Sequence, residues 1–200
     1  MDSIFLEWKP HSIFHSAAYK HVPIVENNPI SGIRTNVIGT FNIFKLAMQH
    51  DCRSCTLIST DKAVEPTCLI GLTKNAAEKI FGVANQIQTT TIYSSVRFGN
   101  VFGSSGSVVQ KFLSQIENRK PITITDPEMT RYFMTSKEAA QLVIQASAIA
   151  KNGIFILEMG KPIKIYDLAI KLIQQSELTL KTEDNLTGDV EIKITGIRPG

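Results

Sequence analysis

Short apolar segments with β-strand composition alternate with amphipathic helical segments along nearly the whole 200-residue chain. We predict strands at 12–15, 55–59, 91–97, 122–124, 154–157 and 190–194. We predict helices at 3–8, from 29 through 48, and at 69–85, 108–117, 136–149 and 166–175. Helices between successive strands favour a parallel sheet with crossover connections, so we expect an α/β fold.

The helix after the first strand has the clearest predicted start and buried face. Asn28 is a preferred N-cap residue, and Pro29 suits the first helical position. Apolar residues then recur at three- and four-residue spacing, which predicts one buried face formed by Ile30, Ile33, Val37, Phe41, Phe44 and Met48. Ser136 is likewise predicted to cap the helix over 136–149.

Composition and charge exclude several classes of protein. The chain is 43% hydrophobic and 20% charged, as is typical of a soluble globular protein. Its net charge of +3 comes from scattered basic residues without the stripe typical of nucleic-acid-binding proteins, so no nucleic-acid partner is expected. No apolar run approaches the roughly 18 residues of a membrane-spanning helix, and the N-terminus does not resemble a signal peptide. We therefore expect a cytoplasmic protein.

The three cysteines leave two interpretations open. Cys52 and Cys55 form a CxxC pair, with His50 and Cys68 nearby. The pair could belong to a zinc or redox site, or consist of small residues at the start of a core strand. An odd count without a secretory context favours reduced thiols, and no second CxxC supports zinc, so no metal site is predicted.

A polar triplet follows the strand predicted at 55–59. Thr60, Asp61 and Lys62 stand at its carboxyl end, where open α/β sheets bind their ligands. Lys74 is the one charge on a helical stripe made of Ile70, Lys74, Ala77, Phe81 and Ala84. A buried ammonium group needs a partner or a ligand, although a lysine near a helix start can also extend its amine to solvent. Asp61 and Lys62 could equally form a simple ion pair in a surface turn.

Several blocks together resemble the UDP-N-acetylglucosamine 4,6-dehydratase or CapD-like branch of the extended short-chain dehydrogenases/reductases. Their order and spacing match that family along nearly the whole chain. The blocks lie at 14–23 (Phe14-His15-Ser16 through Pro23), 35–40, 57–63, 96–101 (Val96-Arg97-Phe98-Gly99-Asn100-Val101), 103–108, 129–135 and 196–200.

The resemblance implies a partial Rossmann-like, doubly wound parallel sheet and part of a small C-terminal substrate domain. Residues 1–120 would be the C-terminal part of the NAD(P)-binding domain, and 121–200 an interleaved, truncated substrate-binding portion. Family members have a GxxGxxG turn before the position that matches residue 1 and continue beyond Gly200. The chain would then correspond to a fragment cut at both ends, and large family members also carry an N-terminal membrane region.

The resemblance also implies catalytic roles. Asp61 would be the general acid for the departing C6 hydroxyl of a UDP-sugar, and Lys62 the base at C5, with Thr60 completing the triplet. Lys74 matches the lysine of the YxxxK motif and would hold the nicotinamide ribose of NAD or NADP. The tyrosine of that motif would fall at Ile70, where large members often have methionine. This departure argues against ordinary dehydrogenase or 4-epimerase chemistry.

The remaining implied site residues divide between cofactor and substrate. Cofactor contacts besides Lys74 would come from Ser16, Ala17, Ala18, Ser59, Arg97 and Gly99. Substrate contacts would come from Lys20, His21, Asn100, Ser107, Arg131 and Arg198. The two arginines suit a diphosphate, although either could be a surface ion-pair residue. Asn36 matches a helix asparagine whose role is more structural than catalytic.

Two functions remain open from the sequence. The first is a nucleotide-sugar 4,6-dehydratase of surface polysaccharide biosynthesis, with a UDP-sugar substrate and homo-oligomer formation. The second is a non-catalytic remnant that binds weakly or only pairs with another subunit. The absence of a Gly-rich turn from these 200 residues favours the second, whereas the intact Thr60-Asp61-Lys62 favours the first.

Overall fold

The computed structural model describes residues 1–87, 90–149 and 151–196, which form two compact units. The first unit contains residues 1–98 and 140–158, and the second contains 99–139 and the described residues from 159 onward. Over the described residues the chain therefore changes unit three times, after residues 98, 139 and 158.

The first unit is built on a four-stranded parallel sheet. The sheet order is β1 (Ser12–His15), β2 (Ser54–Ile58), β3 (Ile92–Arg97) and β8 (Gly153–Ile156). The register pairs Ser12 with Ser54 and Ser54 with Ile92. This arrangement confirms the α/β prediction, and it brings the carboxyl ends of β1, β2 and β3 to one edge of the sheet.

The helices of the first unit precede β1 or lie between successive strands of this sheet. They are α1 (Asp2–Trp8), α2 (Val22–Asn27), α3 (Pro29–Ile33), α4 (Gly39–Gln49), α5 (Leu69–Gly82) and the greater part of α7 (Ser136–Ala148). Three aromatic rings join α4, α5 and β3. The Tyr93 ring centroid lies 4.5 Å from that of Phe44 and 5.2 Å from that of Phe81, and the Tyr93 hydroxyl donates to the Phe44 carbonyl at 2.8 Å. This core fixes α4 and α5 on the sheet.

The buried face predicted for the helix that begins at Pro29 was wrong except at Phe44. Ile30, Ile33 and Phe41 are exposed, whereas Val37 and Met48 are half-buried. The residues that are buried are Gly32, Asn36, Thr40, Phe44 and Ala47. Small and hydrogen-bonded polar side chains occupy the inner face, and a π-helical turn at Arg34–Ile38 interrupts the α-helical spacing on which the prediction depended.

Asn28 is the N-cap residue of α3, as predicted, but its side chain makes no cap bond, and the predicted cap of α7 differs from the structure. Pro29 does occupy the first position of α3, but the Asn28 side chain donates backwards to the Ile24 carbonyl at 2.9 Å. The cap of α7 is Thr135 rather than Ser136. The Thr135 hydroxyl accepts from the Glu138 amide at 3.1 Å, and the Glu138 carboxylate accepts from the Thr135 amide at 2.7 Å. This reciprocal pair is a capping box, one residue earlier than predicted.

The second unit has short strands and two helices of its own. They are β4 (Asn100–Val101), α6 (Val108–Glu117), β5 (Ile122–Ile124), β6 (Thr130–Arg131), β7 (Phe133–Met134), β9 (Ile163–Lys164), α8 (Ile165–Gln175) and β10 (Ile192–Ile194). The strands form three pairs, β4 with β7, β5 with β10 and β6 with β9. Phe112, Ile122 and Ile173 are almost completely buried in its core.

The cysteine thiols lie inside the first unit. Cys52, Cys55 and Cys68 are free and buried, and burial raises the pKa of the Cys55 thiol. In the described part of the chain no group of three or more His, Cys, Asp or Glu side chains is placed to hold a metal ion. Among the same residues, no helix combines the length and the hydropathy needed to cross a membrane.

Candidate active site

The triplet Thr60-Asp61-Lys62 lies immediately after β2, at the carboxyl edge of the parallel sheet. Asp61–Ala63 form a short 3₁₀ turn, and the Thr60 hydroxyl caps it by accepting from the Lys62 amide at 3.4 Å. The Asp61 amide donates to the Phe98 carbonyl at 3.2 Å. The triplet is therefore held at the sheet edge rather than in a free surface loop.

Asp61 and Lys62 form a hydrogen-bonded acid–base pair. The Lys62 ammonium donates to Asp61 Oδ1 at 2.9 Å, and the Thr60 hydroxyl donates to the same oxygen at 2.9 Å. The side chains of Lys62 and Asp61 are 33% and 26% exposed. Because both side chains are partly exposed, a bound molecule could contact the acid and the base at the same time.

Lys74 is buried one helical turn into α5. Only 8% of the residue is exposed, and its ammonium donates to the Ile58 carbonyl at the end of β2 at 2.8 Å. Burial lowers its pKa to about 8, although the nearby Glu78 carboxylate acts in the opposite direction. The predicted stripe of Ile70, Lys74, Ala77, Phe81 and Ala84 is confirmed as buried.

Helix α5 is fastened to the triplet and to α2 by polar contacts. The Asn75 side chain donates to the Ala63 carbonyl at 2.9 Å. The Glu26 carboxylate of α2 accepts from the Leu69 amide at 2.6 Å, which caps a helix whose own N-cap residue, Cys68, makes no side-chain cap bond. Glu26 and Asn75 could not be predicted as site residues, because these contacts depend on tertiary placement.

Glu78 joins two predicted cofactor residues to α5. Its carboxylate accepts from the Ser59 hydroxyl at 2.5 Å, from Arg97 Nε at 2.9 Å and from Arg97 Nη2 at 2.6 Å. The Glu78 side chain is only 2% exposed. Glu78 was not among the predicted site residues, although its position four residues after Lys74 places both on one helix face.

A second buried network supports the loop after β1. The Asn36 side chain, in the π-helical turn, accepts from the Tyr19 amide at 2.8 Å and donates to the Tyr19 carbonyl and the Thr73 hydroxyl, each at 3.1 Å. The loop is thus tied to α5. Of the predicted residues in it, Ser16, Ala17 and Lys20 are exposed, Ala18 is half-buried, and His21 precedes the first residue of α2.

Ile70 occupies an apolar cluster. It is 4% exposed and packs with Val25 and Cys68, both buried. The position that matches the tyrosine of YxxxK is therefore filled by a core side chain.

The other predicted site residues lie in the second unit. The Gly99 amide contacts Met159 Sδ at 2.9 Å, and the Asn100 amide donates to the Tyr132 carbonyl at 2.8 Å. Arg131 Nη1 donates to the Thr130 carbonyl at 2.7 Å. The Ser107 hydroxyl, at the start of α6, is buried and has no hydrogen-bond partner among the described residues. Arg198 lies outside the described residues.

Comparison with known proteins gives consistent matches over the whole chain. It is 48% identical over 195 residues to the capsular polysaccharide biosynthesis protein CapD of Staphylococcus aureus, which covers 97% of this chain and 31% of that protein. It is 36% identical over 191 residues to the inverting UDP-N-acetylglucosamine 4,6-dehydratase of Campylobacter jejuni, which covers 94% and 53%. The X-ray structure of Pen from Bacillus thuringiensis has a TM-score of 0.88 at 35% identity, over 100% of this chain and 60% of that one.

These matches and the parallel sheet define the fold as that of the extended short-chain dehydrogenases/reductases. The family model described as polysaccharide biosynthesis protein matches residues 1–200, and the chain belongs to that family. It spans 31% of CapD and 53% of the Campylobacter dehydratase.

Proposed function

We propose that the protein containing this chain is a nicotinamide-dependent UDP-sugar 4,6-dehydratase that acts on UDP-N-acetylglucosamine or a close relative. The observation that carries this proposal is the Asp61–Lys62 pair at the carboxyl edge of the sheet, with Lys74 buried beside it. The named activity of the Campylobacter jejuni relative supports the choice of reaction.

The hydrogen-bonded pair suits an elimination of water. Lys62 would remove the proton from C5 of the sugar, and Asp61 would give a proton to the C6 hydroxyl as it leaves. To act as a base, the Lys62 amine must be neutral, and to act as an acid, the Asp61 carboxyl must carry a proton. In the elimination Lys62 would gain one proton and Asp61 would lose one, so the hydrogen-bonded pair would hold the same number of protons before and after the loss of water.

The residues of the first unit fit a nicotinamide cofactor, with NAD and NADP both compatible. Among the described residues the Lys74 ammonium donates to the Ile58 carbonyl, which leaves further hydrogens for the hydroxyls of a ribose. The small residues Ser16, Ala17 and Ala18 would let the cofactor approach the backbone of the loop after β1. When bound, such a cofactor would supply the redox chemistry: it would take a hydride from C4, leaving a ketone that acidifies the C5 hydrogen, and would return the hydride to C6 after water has left.

The second unit would contribute the contacts to the UDP moiety. Ser107 supports this assignment, because its buried hydroxyl lacks a hydrogen-bond partner among the described residues and stands at the start of a helix. Asn100 and Arg131 remain proposed substrate contacts, as do Lys20 and His21 of the first unit. In this proposal the first unit is the cofactor-binding part and the second unit the substrate-binding part.

Homo-oligomer formation also remains a proposal. It is supported by the exposed apolar side chains of Ile30, Ile33 and Phe41, which a second copy would remove from water. Light scattering of the purified protein and of its Phe41→Glu variant tests it, and a monomeric wild type would contradict it.

The test of the proposed activity is product identification. The protein, expressed from its complete open reading frame, is incubated with UDP-N-acetylglucosamine and NAD or NADP, and the nucleotide sugar is analysed by NMR and mass spectrometry. A 4-keto-6-deoxy product, lost in Asp61→Asn and retained in the exposed control Asp184→Asn, is expected. A 4-epimer or unchanged substrate would overturn the proposal, and unchanged substrate would favour a non-catalytic protein.

A further inference from the structure

Glu78 has no role in the chemistry proposed above, yet it is among the most completely buried charged side chains of the first unit. Burying a carboxylate is costly unless it is paired and fully hydrogen-bonded. Glu78 meets that condition with three bonds, two from Arg97 and one from Ser59. These partners come from the ends of two neighbouring strands, so the carboxylate connects α5, β2 and β3.

The Ser59 bond lies next to the triplet in sequence. The Ser59 amide donates to the Val96 carbonyl at 2.8 Å, which extends the ladder between β2 and β3 by one residue. One residue earlier, the Ile58 carbonyl accepts from Lys74. Two side chains one turn apart on α5 therefore hold the last two residues before Thr60, where the chain leaves the sheet.

We propose that Glu78 is a positioning residue that holds the Thr60-Asp61-Lys62 triplet in place by fixing Ser59 and Arg97 to α5. Its importance for turnover rests on the proposed function, but the positioning itself does not. Arg97 neutralises the charge of the buried Glu78 carboxylate. The bond from the Ser59 hydroxyl to that carboxylate fixes the main chain at Ser59 relative to α5. Ser59 and Arg97 thereby support the site through Glu78, and their contacts with it differ from the cofactor contacts predicted from sequence.

The experiment measures amide hydrogen exchange at single residues in the purified protein, without substrate or cofactor. Glu78→Gln keeps the size of the side chain but places an amide group against Arg97. The amides of Ser59, Asp61 and Ala63 are expected to exchange about tenfold faster or more, as loss of a charged hydrogen bond predicts. The amide of Leu57, inside β2, is expected to change by less than about twofold.

Two further variants make the result decisive. Glu7→Gln removes the same charge from an exposed position of α1 and is expected to leave all these rates unchanged. Ser59→Ala removes only the hydrogen bond from the serine hydroxyl to Glu78 and should accelerate hydrogen exchange at the amides of Asp61 and Ala63. This variant tests the inference if Glu78→Gln does not fold. Equal acceleration throughout β2 and β3, or none near the triplet, would overturn the inference. A wild type without dehydratase activity would overturn the proposed function but leave this exchange pattern valid.

Discussion

Gly71 of α5 lies so close to the main chain of Lys62 that a Cβ atom at position 71 would overlap the Lys62 carbonyl oxygen. The same Cβ atom would lie 2.9 Å from Cβ of Pro66. Helix α5 therefore packs directly on the turn that carries the acid–base pair. Glycine inside a helix costs about 1 kcal/mol relative to alanine, so close packing explains this residue better than helix propensity does.

Replacing Gly71 with alanine is expected to destabilise the protein by about 1–3 kcal/mol, because a backbone carbonyl cannot move aside as a flexible side chain can. Urea denaturation measures the free energy of unfolding. Gly82→Ala is the control on the same helix, since a Cβ atom there meets nothing within 4 Å. The control is expected to be neutral or stabilising by up to about 1 kcal/mol, and equal effects of the two changes would contradict the packing argument.

Replacing Lys62 with alanine is expected to lower the proposed turnover of the UDP-sugar by about two to four orders of magnitude, because the proposed base at C5 is lost. The stability should change by roughly 0.5 kcal/mol or less, as for a surface substitution, since Lys62 lies beyond the core. Product formation and urea denaturation are measured in parallel. Lys79→Ala, an exposed lysine on α5, is the control that should retain activity. Near-normal product formation by Lys62→Ala would refute its role as base.

A tyrosine at position 70 is not expected to be needed for activity. Ile70 fills a cluster with Val25 and Cys68, so Ile70→Tyr should overpack this cluster and cost about 1–3 kcal/mol without raising turnover. Ile70→Met, close in volume, should cost less than about 1.5 kcal/mol. Thermal denaturation and product formation compare both variants with wild type. If only the tyrosine variant formed product, Ile70 would mark an inactive site.

The stability of the protein is expected to fall on acidification because of His15. Burial and the nearby Lys74 ammonium lower the pKa of His15 to about 4, against about 6.5 in an unfolded chain. Between these values the unfolded state takes up a proton that the native state does not, so stability falls as the pH drops from about 6.5 to about 4 and the contribution of His15 levels off below it.

Urea denaturation across that pH range checks the expectation. The Thr40 hydroxyl donates to the Asn36 carbonyl at 2.7 Å, so His15 Nε2, 2.9 Å from the Thr40 oxygen, is the donor of their bond. His15→Gln can keep an N–H donor there but cannot titrate, and should flatten the dependence on pH. His11→Gln, at an exposed position, should leave the wild-type slope. An unchanged slope in His15→Gln would contradict the assignment.

Sequence periodicity predicted the inner face of α5 but failed for the helix that begins at Pro29, for a physical reason. On α5 the buried positions are mostly apolar, and Lys74 stands among them at regular spacing. In the earlier helix, Gly32, Asn36 and Thr40 take the inner positions. Glycine permits close approach to Val25, and the two polar side chains are buried with hydrogen bonds, so hydrophobicity alone does not detect them.

The candidate site was predictable only where its residues follow one another in sequence. Thr60, Asp61 and Lys62 are adjacent and follow a strand, so their place at the sheet edge could be inferred. The groups that hold this segment against α5, Asn75 and Glu78, lie on the helix and act through contacts between elements. Local spacing places Glu78 beside Lys74, but only the tertiary structure shows that Ser59 and Arg97 are its partners.

The π-helical turn at Arg34–Ile38 adds a residue to the helix without changing the direction in which the following side chains face. A π turn holds one residue more than the α-helical turn it replaces. Thr40 and Phe44 therefore face the core as they would after a regular α-helical turn that is one residue shorter. Loss of one residue from this turn, with Asn36 retained, should therefore be better tolerated than loss of one residue within α4, which would rotate the rest of that helix by about 100°.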